Sequence, residues 1–220
     1  TYKDLGNDLE KRIINGKYYG NVTVEKIKEK LLSGDITVAE IENKKILELV
    51  GLKSKEKNEL MERSVENAID LYNCGIITAE QLKRNMLSRK LTAANITEVI
   101  ENNILSHEDI INSYINGNLE LEETLKLKDV IKDNIGIDKM VKTYREIELT
   151  ENEEERKKLE KYISLFREVV VNEATPEERE TIGDEIVLEL GEKMTEKEIT
   201  DLYRRNLIPI KTLEEWNGDI

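Results

Sequence analysis

Gly75-Ile76-Ile77-Thr78-Ala79-Glu80-Gln81-Leu82 holds the end of one helix and the start of the next within eight residues. A glycine just past a helix C-terminus takes the left-handed backbone that a Cβ disfavours, and a threonine then caps the following helix by accepting a backbone N–H. Gln81 stands at the third helical position, where its side chain closes a capping box with Thr78. Ile77, just before the cap, is placed to pack on Leu82 as a hydrophobic staple. The stretch therefore predicts a short helix, a tight turn and a second short helix.

The same pattern recurs along the chain. It appears in Gly20-Asn21-Val22-Thr23, Gly34-Asp35-Ile36-Thr37 and Asn103-Ile104-Leu105-Ser106, more loosely in Gly117-Asn118-Leu119-Glu120, and again around Thr195 and after Asn206. Thr23 and Thr37 are 14 residues apart, and Thr78, Thr92, Ser106 and Glu120 follow one another at the same step. The staple pairs read Val22/Ile27, Ile36/Ile41, Ile77/Leu82, Leu91/Ile96, Leu105/Ile110, Met194/Ile199 and Ile208/Leu213, with Leu119/Thr124 the exception. At 38% apolar residues a random pair would match roughly one time in seven, so the repeat is not a product of composition. Arg89 stands where Gly is expected and Pro209 where a capping Thr is expected, which sets those two turns apart.

The fold class follows: all-α, an irregular array of short helices joined by Gly-x-apolar-Thr turns, with a longer-helix C-terminal module. Fourteen residues less about four for the turn leave helices of roughly ten residues, too short to stand alone in water. They are predicted to stack through Ile27, Leu31, Leu32, Leu82, Met86, Leu87, Ile110, Tyr114 and Ile115. Further capping boxes are expected at Thr37/Glu40, Thr150/Glu153, Thr175/Glu178 and Thr195/Glu198, with Pro176 at a first helical position. The longest helical pattern runs from Thr150 to about Asn172, with Leu159, Tyr162, Ile163, Phe166, Val169 and Val170 on one face. The β-branched run Val169-Val170-Val171 closes that pattern.

Charge divides the chain. Residues 1–145 hold 25 acids and 23 bases, whereas residues 146–220 hold 22 acids and 11 bases, so the C-terminal third carries −11 of the total −13. We take 1–145 as the repeat array and 146–220 as an acidic helical module. This balance argues against general nucleic-acid binding, which draws on Lys and Arg neutralising phosphates. Lys83, Arg84, Arg89 and Lys90 form the local exception around two short helices, but their turn lacks Gly and no basic arm accompanies them, so a solvated helix face is the reading. An acidic face can instead meet a basic partner or mimic DNA.

Chemistry-bearing residues do not converge. His107, the single histidine, follows the cap Ser106 between acids, and the single cysteine, Cys74, sits at a helix C-terminus whose dipole raises a thiol pKa. One Cys and one His cannot assemble the usual disulfide framework or zinc sets. Gly16-Lys17 lacks the rest of a phosphate loop, and neither an EF-hand loop nor a Glu-x-x-His pair occurs. Tyr18, Tyr19, Tyr72 and Tyr114 near helix ends read as packing residues with a wet hydroxyl. Catalytic, cofactor-binding and metal residues are accordingly all expected to be none. No apolar run reaches the ~20 residues of a membrane span and no signal-like segment opens the chain, so a cytoplasmic or virion location is expected. Thr1 rather than Met at the start fits a processed product or part of a longer polypeptide.

Leu71-Tyr72-Asn73-Cys74-Gly75-Ile76-Ile77-Thr78-Ala79-Glu80-Gln81-Leu82, with the Leu91-Thr92 turn after it, resembles the helix–Gly-Ile-Thr-x-Glu–helix pattern of the short XkdX-like phage tail proteins. It is also similar to the SHOCT module, a short helical hairpin. Both resemblances imply oligomerisation or assembly through protein contacts rather than catalysis, and neither carries catalytic residues to these positions. The function expected is therefore that of a structural, assembly or interaction protein, plausible in a phage particle, with an acidic inhibitor or DNA mimic as the alternative.

Overall fold

The computed structural model describes residues 13–14, 17–18, 24–41 and 44–218. The turn at 20–23, with the pair Val22/Ile27, and Tyr19 lie outside the described residues or depend on them. The fold is all-α. A two-residue antiparallel pairing of Ile13–Ile14 with Lys17–Tyr18 makes no sheet layer.

Two compact units follow one another, Thr1–Leu105 and Ser106–Ile220. In the first lie α1 (Val24–Ser33), α2 (Lys44–Val50), α3 (Ser54–Arg63), α4 (Val65–Asn73), α5 (Ala79–Leu87) and α6 (Ala93–Ile100). In the second lie α7 (His107–Ile115), α8 (Leu121–Leu125), α9 (Lys128–Ile131), α10 (Ile137–Leu149), α11 (Glu153–Phe166), α12 (Pro176–Leu190), α13 (Glu196–Arg204) and α14 (Ile210–Gly218). The division expected at 145/146 from the charge step instead falls inside α10, because α10 packs against both α11 and α12 and so belongs to the second core. Charge marks the outside of these helices, and the core decides the unit.

The turns are built as the motif dictates. Gly75 has φ +74, its N–H meets the Tyr72 carbonyl, and Ile76 N–H reaches back to the Leu71 carbonyl at 2.9 Å, a Schellman closure. Gly34, Gly117 and Asn206 repeat that pair of bonds, and Asn103 and Asn206 hold φ of 54° and 58°. The Arg89 turn is different: Ser88 ends α5 without a left-handed residue, and Thr92 still caps α6. Capping boxes close at Thr37/Glu40 and Thr78/Gln81, and also at Thr92/Asn95 and Ser106/Asp109, where shorter side chains do the work of Glu or Gln.

Several local expectations are corrected. Thr37 opens only one 3-10 turn, Val38–Glu40, after which Ile41 takes an extended backbone and enters the core. Asn152 rather than Thr150 caps α11, accepting from Glu154 N and Glu155 N, because the Thr150 hydroxyl turns back to donate to the Glu146 carbonyl at 2.7 Å. Thr175 and Thr195 cap their helices, but the Glu178 and Glu198 carboxylates make no bond to the cap N–H, so neither box closes. Beyond Phe166 the helix widens into a π-turn, Arg167–Val171, with Asn172 N–H bonded to the Arg167 carbonyl.

Packing follows the repeat. Ile27, Leu31, Leu82, Met86, Ile110 and Tyr114 are buried, while Leu32, Leu87 and Ile115 are all half-buried, so even the third position of each set behaves alike. Full burial of each such side chain stabilises by about 1.5–3 kcal/mol. The exceptional pair Leu119/Thr124 is buried too, with the Thr124 hydroxyl donating to the Glu120 carbonyl at 2.8 Å. In the first unit α4 is the hub, packed on α3, α5 and α6 through Val65, Ala68, Ile69 and Leu71. In the second, α10 and α11 contribute Met140, Val141, Tyr144, Ile147, Tyr162, Ile163, Leu165 and Phe166.

Candidate functional site

Arginines tie the helices together at their ends. The last carbonyls of a helix lack intrahelical donors and carry the negative end of its dipole, so a guanidinium suits them. Arg63, closing α3, donates to the Leu31 and Leu32 carbonyls at the end of α1, the first at 2.8 Å. Arg89, after α5, does the same at the end of α3, reaching the Met61 carbonyl and, at 3.2 Å, that of Glu62. The arginine expected to disturb its turn is thus part of a repeated device. Its guanidinium is engaged there, while Arg84 is exposed and paired with Glu80 at 3.2 Å. In the second unit Arg145 donates to the Leu190 carbonyl at 2.5 Å. These partners lie 27 to 45 residues away, so no local pattern announces them.

A polar network joins α10, α11 and α13. The Arg205 guanidinium makes a forked contact with Glu160, at 2.5 and 3.0 Å, and its Nε donates to Asp201 Oδ2 at 2.9 Å. The Tyr144 hydroxyl donates to the same oxygen at 2.8 Å, and Arg205 lies over the Tyr144 ring at 5.7 Å. Glu160 above all raises the Arg205 pKa. Burial and the bond to Asp201 push the Tyr144 hydroxyl up. Burial works to raise Asp201, but the bonds from Tyr144 and Arg205 outweigh it and hold that carboxyl below the ordinary aspartate value. Every member is engaged, which makes the network a structural clamp.

The sequence candidates for chemistry are dispersed. His107 begins α7 and its Nδ1 meets the Asn134 side chain, at the edge of an open hollow shared with Glu108 and Lys139. Cys74 is the half-exposed C-cap of α4 in the other unit. Tyr114 is buried beneath Lys161, whose Nζ lies 4.9 Å from the ring centre, and Tyr72 is half-buried. Among the described residues no group of His, Cys, Asp and Glu is arranged to hold a metal ion, and no helix is long and apolar enough to cross a membrane.

Two surface features stand out in the second unit. The first is a cleft of about 350 Å³ lined by Arg167, Glu168 and Asn172 of the π-turn region, Arg179 of α12, and Tyr203, Asn206 and Pro209 around the end of α13. The second is a pair of leucines, Leu149 and Leu188, 82% and 81% exposed. Leu188 stands among Asp184, Glu185 and Glu189 on the outer side of α12. Glu198, turned away from its cap, lines a small groove beside Leu149 with Glu148 and Lys193. Comparison with protein-family models, with curated proteins and with solved structures gave no match.

Proposed function

We propose that this chain is a non-enzymatic structural, assembly or interaction protein of the kind found in a phage particle or a related machine, acting through protein contacts. The observation that carries the reading is where the polar and apolar groups sit. Arg63, Arg89 and Arg145 are engaged at helix ends inside each unit, whereas two almost bare leucines, Leu149 and Leu188, face outward. Covering such side chains would remove apolar surface from water, which favours association. The resemblance of 71–82 to phage tail hairpins points the same way.

Self-association is the form the proposal takes first. Chains labelled with heavy nitrogen are mixed with unlabelled chains and cross-linked at lysines. Mixed-isotope cross-links, reduced by Leu149→Gln with Leu188→Gln, are the expected result. Cross-links confined to single chains would count against it.

The second reading is an acidic binding protein, an inhibitor or DNA mimic, favoured by the 22 acids against 11 bases in residues 146–220. Titration with a polyarginine peptide would then give binding that weakens steeply with salt, through release of ions from the charged surfaces.

A further inference from the structure

We propose that the cleft beneath the π-turn is a binding site for an oxyanion, a carboxylate or a phosphate. The residues around it are built to present donors. The π-turn widens the helix, and its terminal carbonyls are met by Arg179, whose Nε donates to Val171 and Ala174 and whose Nη2 donates to Asn172, at 3.0 to 3.1 Å. Those bonds fix the guanidinium in the cleft wall while leaving its Nη1 without a partner among the described residues. Arg167 is held in the same manner, with Nη1 donating 3.2 Å to the Arg205 carbonyl and Nε lying 3.9 Å from Glu168. Its Nη2 has no partner among the described residues.

Tyr203 and Asn206 line the cleft too, and the Tyr203 hydroxyl and Asn206 side-chain amide make no side-chain bond to a described residue. Asn206 is held in place by its left-handed backbone, φ 58°, and Tyr203 is 37% exposed. The one carboxylate in the lining, Glu168, already accepts from the Asn172 amide at 3.1 Å. Two guanidiniums against one engaged carboxylate make the cleft a positive spot in a stretch of chain that carries −11. Fixed guanidiniums with spare N–H donors match the two-oxygen edge of a carboxylate or phosphate. Such π-turns are frequent at functional sites.

The anion has two possible sources, a free small molecule or an acidic side chain of another protein. The test is an NMR titration of the full chain, isotope-labelled, that follows the Nε–H signals of Arg167 and Arg179 and the Asn206 amide. Inorganic phosphate and citrate form one arm and a glutamate-rich peptide the other, each against sodium chloride at matched ionic strength. Saturable shifts at these three residues with at least one probe, absent with chloride, are expected; the tighter arm identifies the source.

Arg167→Gln should weaken the binding about tenfold or more, since a charged donor is lost. Asn206→Gly should weaken it about three- to tenfold while keeping the turn, because glycine accepts the left-handed backbone. Tyr203→Phe provides a third readout that leaves the backbone untouched. Shifts that never saturate, that chloride reproduces, or that survive unchanged in both Arg167→Gln and Asn206→Gly would overturn the proposal.

Discussion

Replacing Arg89 should cost far more stability than replacing Arg84, five residues away in the same basic grouping. Arg89 is half-buried and its guanidinium serves three acceptors: the Met61 and Glu62 carbonyls and, at 3.2 Å, Asn85 Oδ1. A hydrogen bond from a charged group is worth about 1.5–3 kcal/mol net, and a cation at a helix C-terminus adds about 0.3–1 kcal/mol. Truncation also leaves the end of α3 short of donors, although water reaches part of it. Allowing for that exposure, Arg89→Ala should cost about 2 kcal/mol and Arg89→Lys about 1 kcal/mol, because an ammonium on a flexible stem lacks the planar, pre-organised fork that meets the two carbonyls. The Arg84 side chain is 77% exposed and, among the described residues, pairs with the exposed Glu80, so Arg84→Ala should change stability by less than about 0.5 kcal/mol. Urea unfolding, with amide exchange of α3 and α5 to localise the effect, measures both. Equal effects of the two substitutions, or a larger one at Arg84, would refute the assignment of Arg89 as a strut between helices.

Other outcomes follow from the same geometry. Gly75→Ala meets nothing within 4 Å, so its cost should be that of the left-handed backbone alone, about 1–2 kcal/mol, with Gly75→Asn milder and Asn103→Gly slightly stabilising in denaturant melts. A Cβ at Gly183 would lie 2.4 Å from Thr212 Oγ1 and 2.9 Å from Pro209 Cδ. Gly183→Ala should therefore destabilise by about 1–2 kcal/mol despite the helix propensity of Ala, with part recovered in the Gly183→Ala, Thr212→Ala double variant. Asp201, depressed in the folded state, contributes stability that is present above its unfolded value near ~4 and lost as pH falls through the lower folded value. Melting curves should accordingly show the deficit of Asp201→Asn full at pH 6 and shrinking toward pH 3.

What the sequence made legible is what lies within a few residues. Glycine or asparagine at a left-handed position, a cap three residues on and an apolar pair across it are all local, and Gly75, Thr78, Ile77 and Leu82 form together what their order implies. Competition between neighbouring polar groups is harder to read. Thr150 and Asn152 could each cap α11, and the choice turns on the Thr150 hydroxyl finding the Glu146 carbonyl. The sequence does not announce the π-turn, because Val169-Val170-Val171 fits the end of a helix as well as a widened one. The struts from Arg63, Arg89 and Arg145, and the cleft that joins Arg167 to Tyr203, depend on residues brought together from distant segments. Arg89 stands out in the sequence only as an oddity in its turn.

Contact with other protein chains, its own copies first, is the proposed mode of action. Absolute mass in solution, by size-exclusion chromatography with light scattering over a range of protein and salt concentrations, tests this most directly. The expected result is a discrete species heavier than the 25.5 kDa chain that persists in salt. A 25.5 kDa monomer at every concentration would contradict self-assembly.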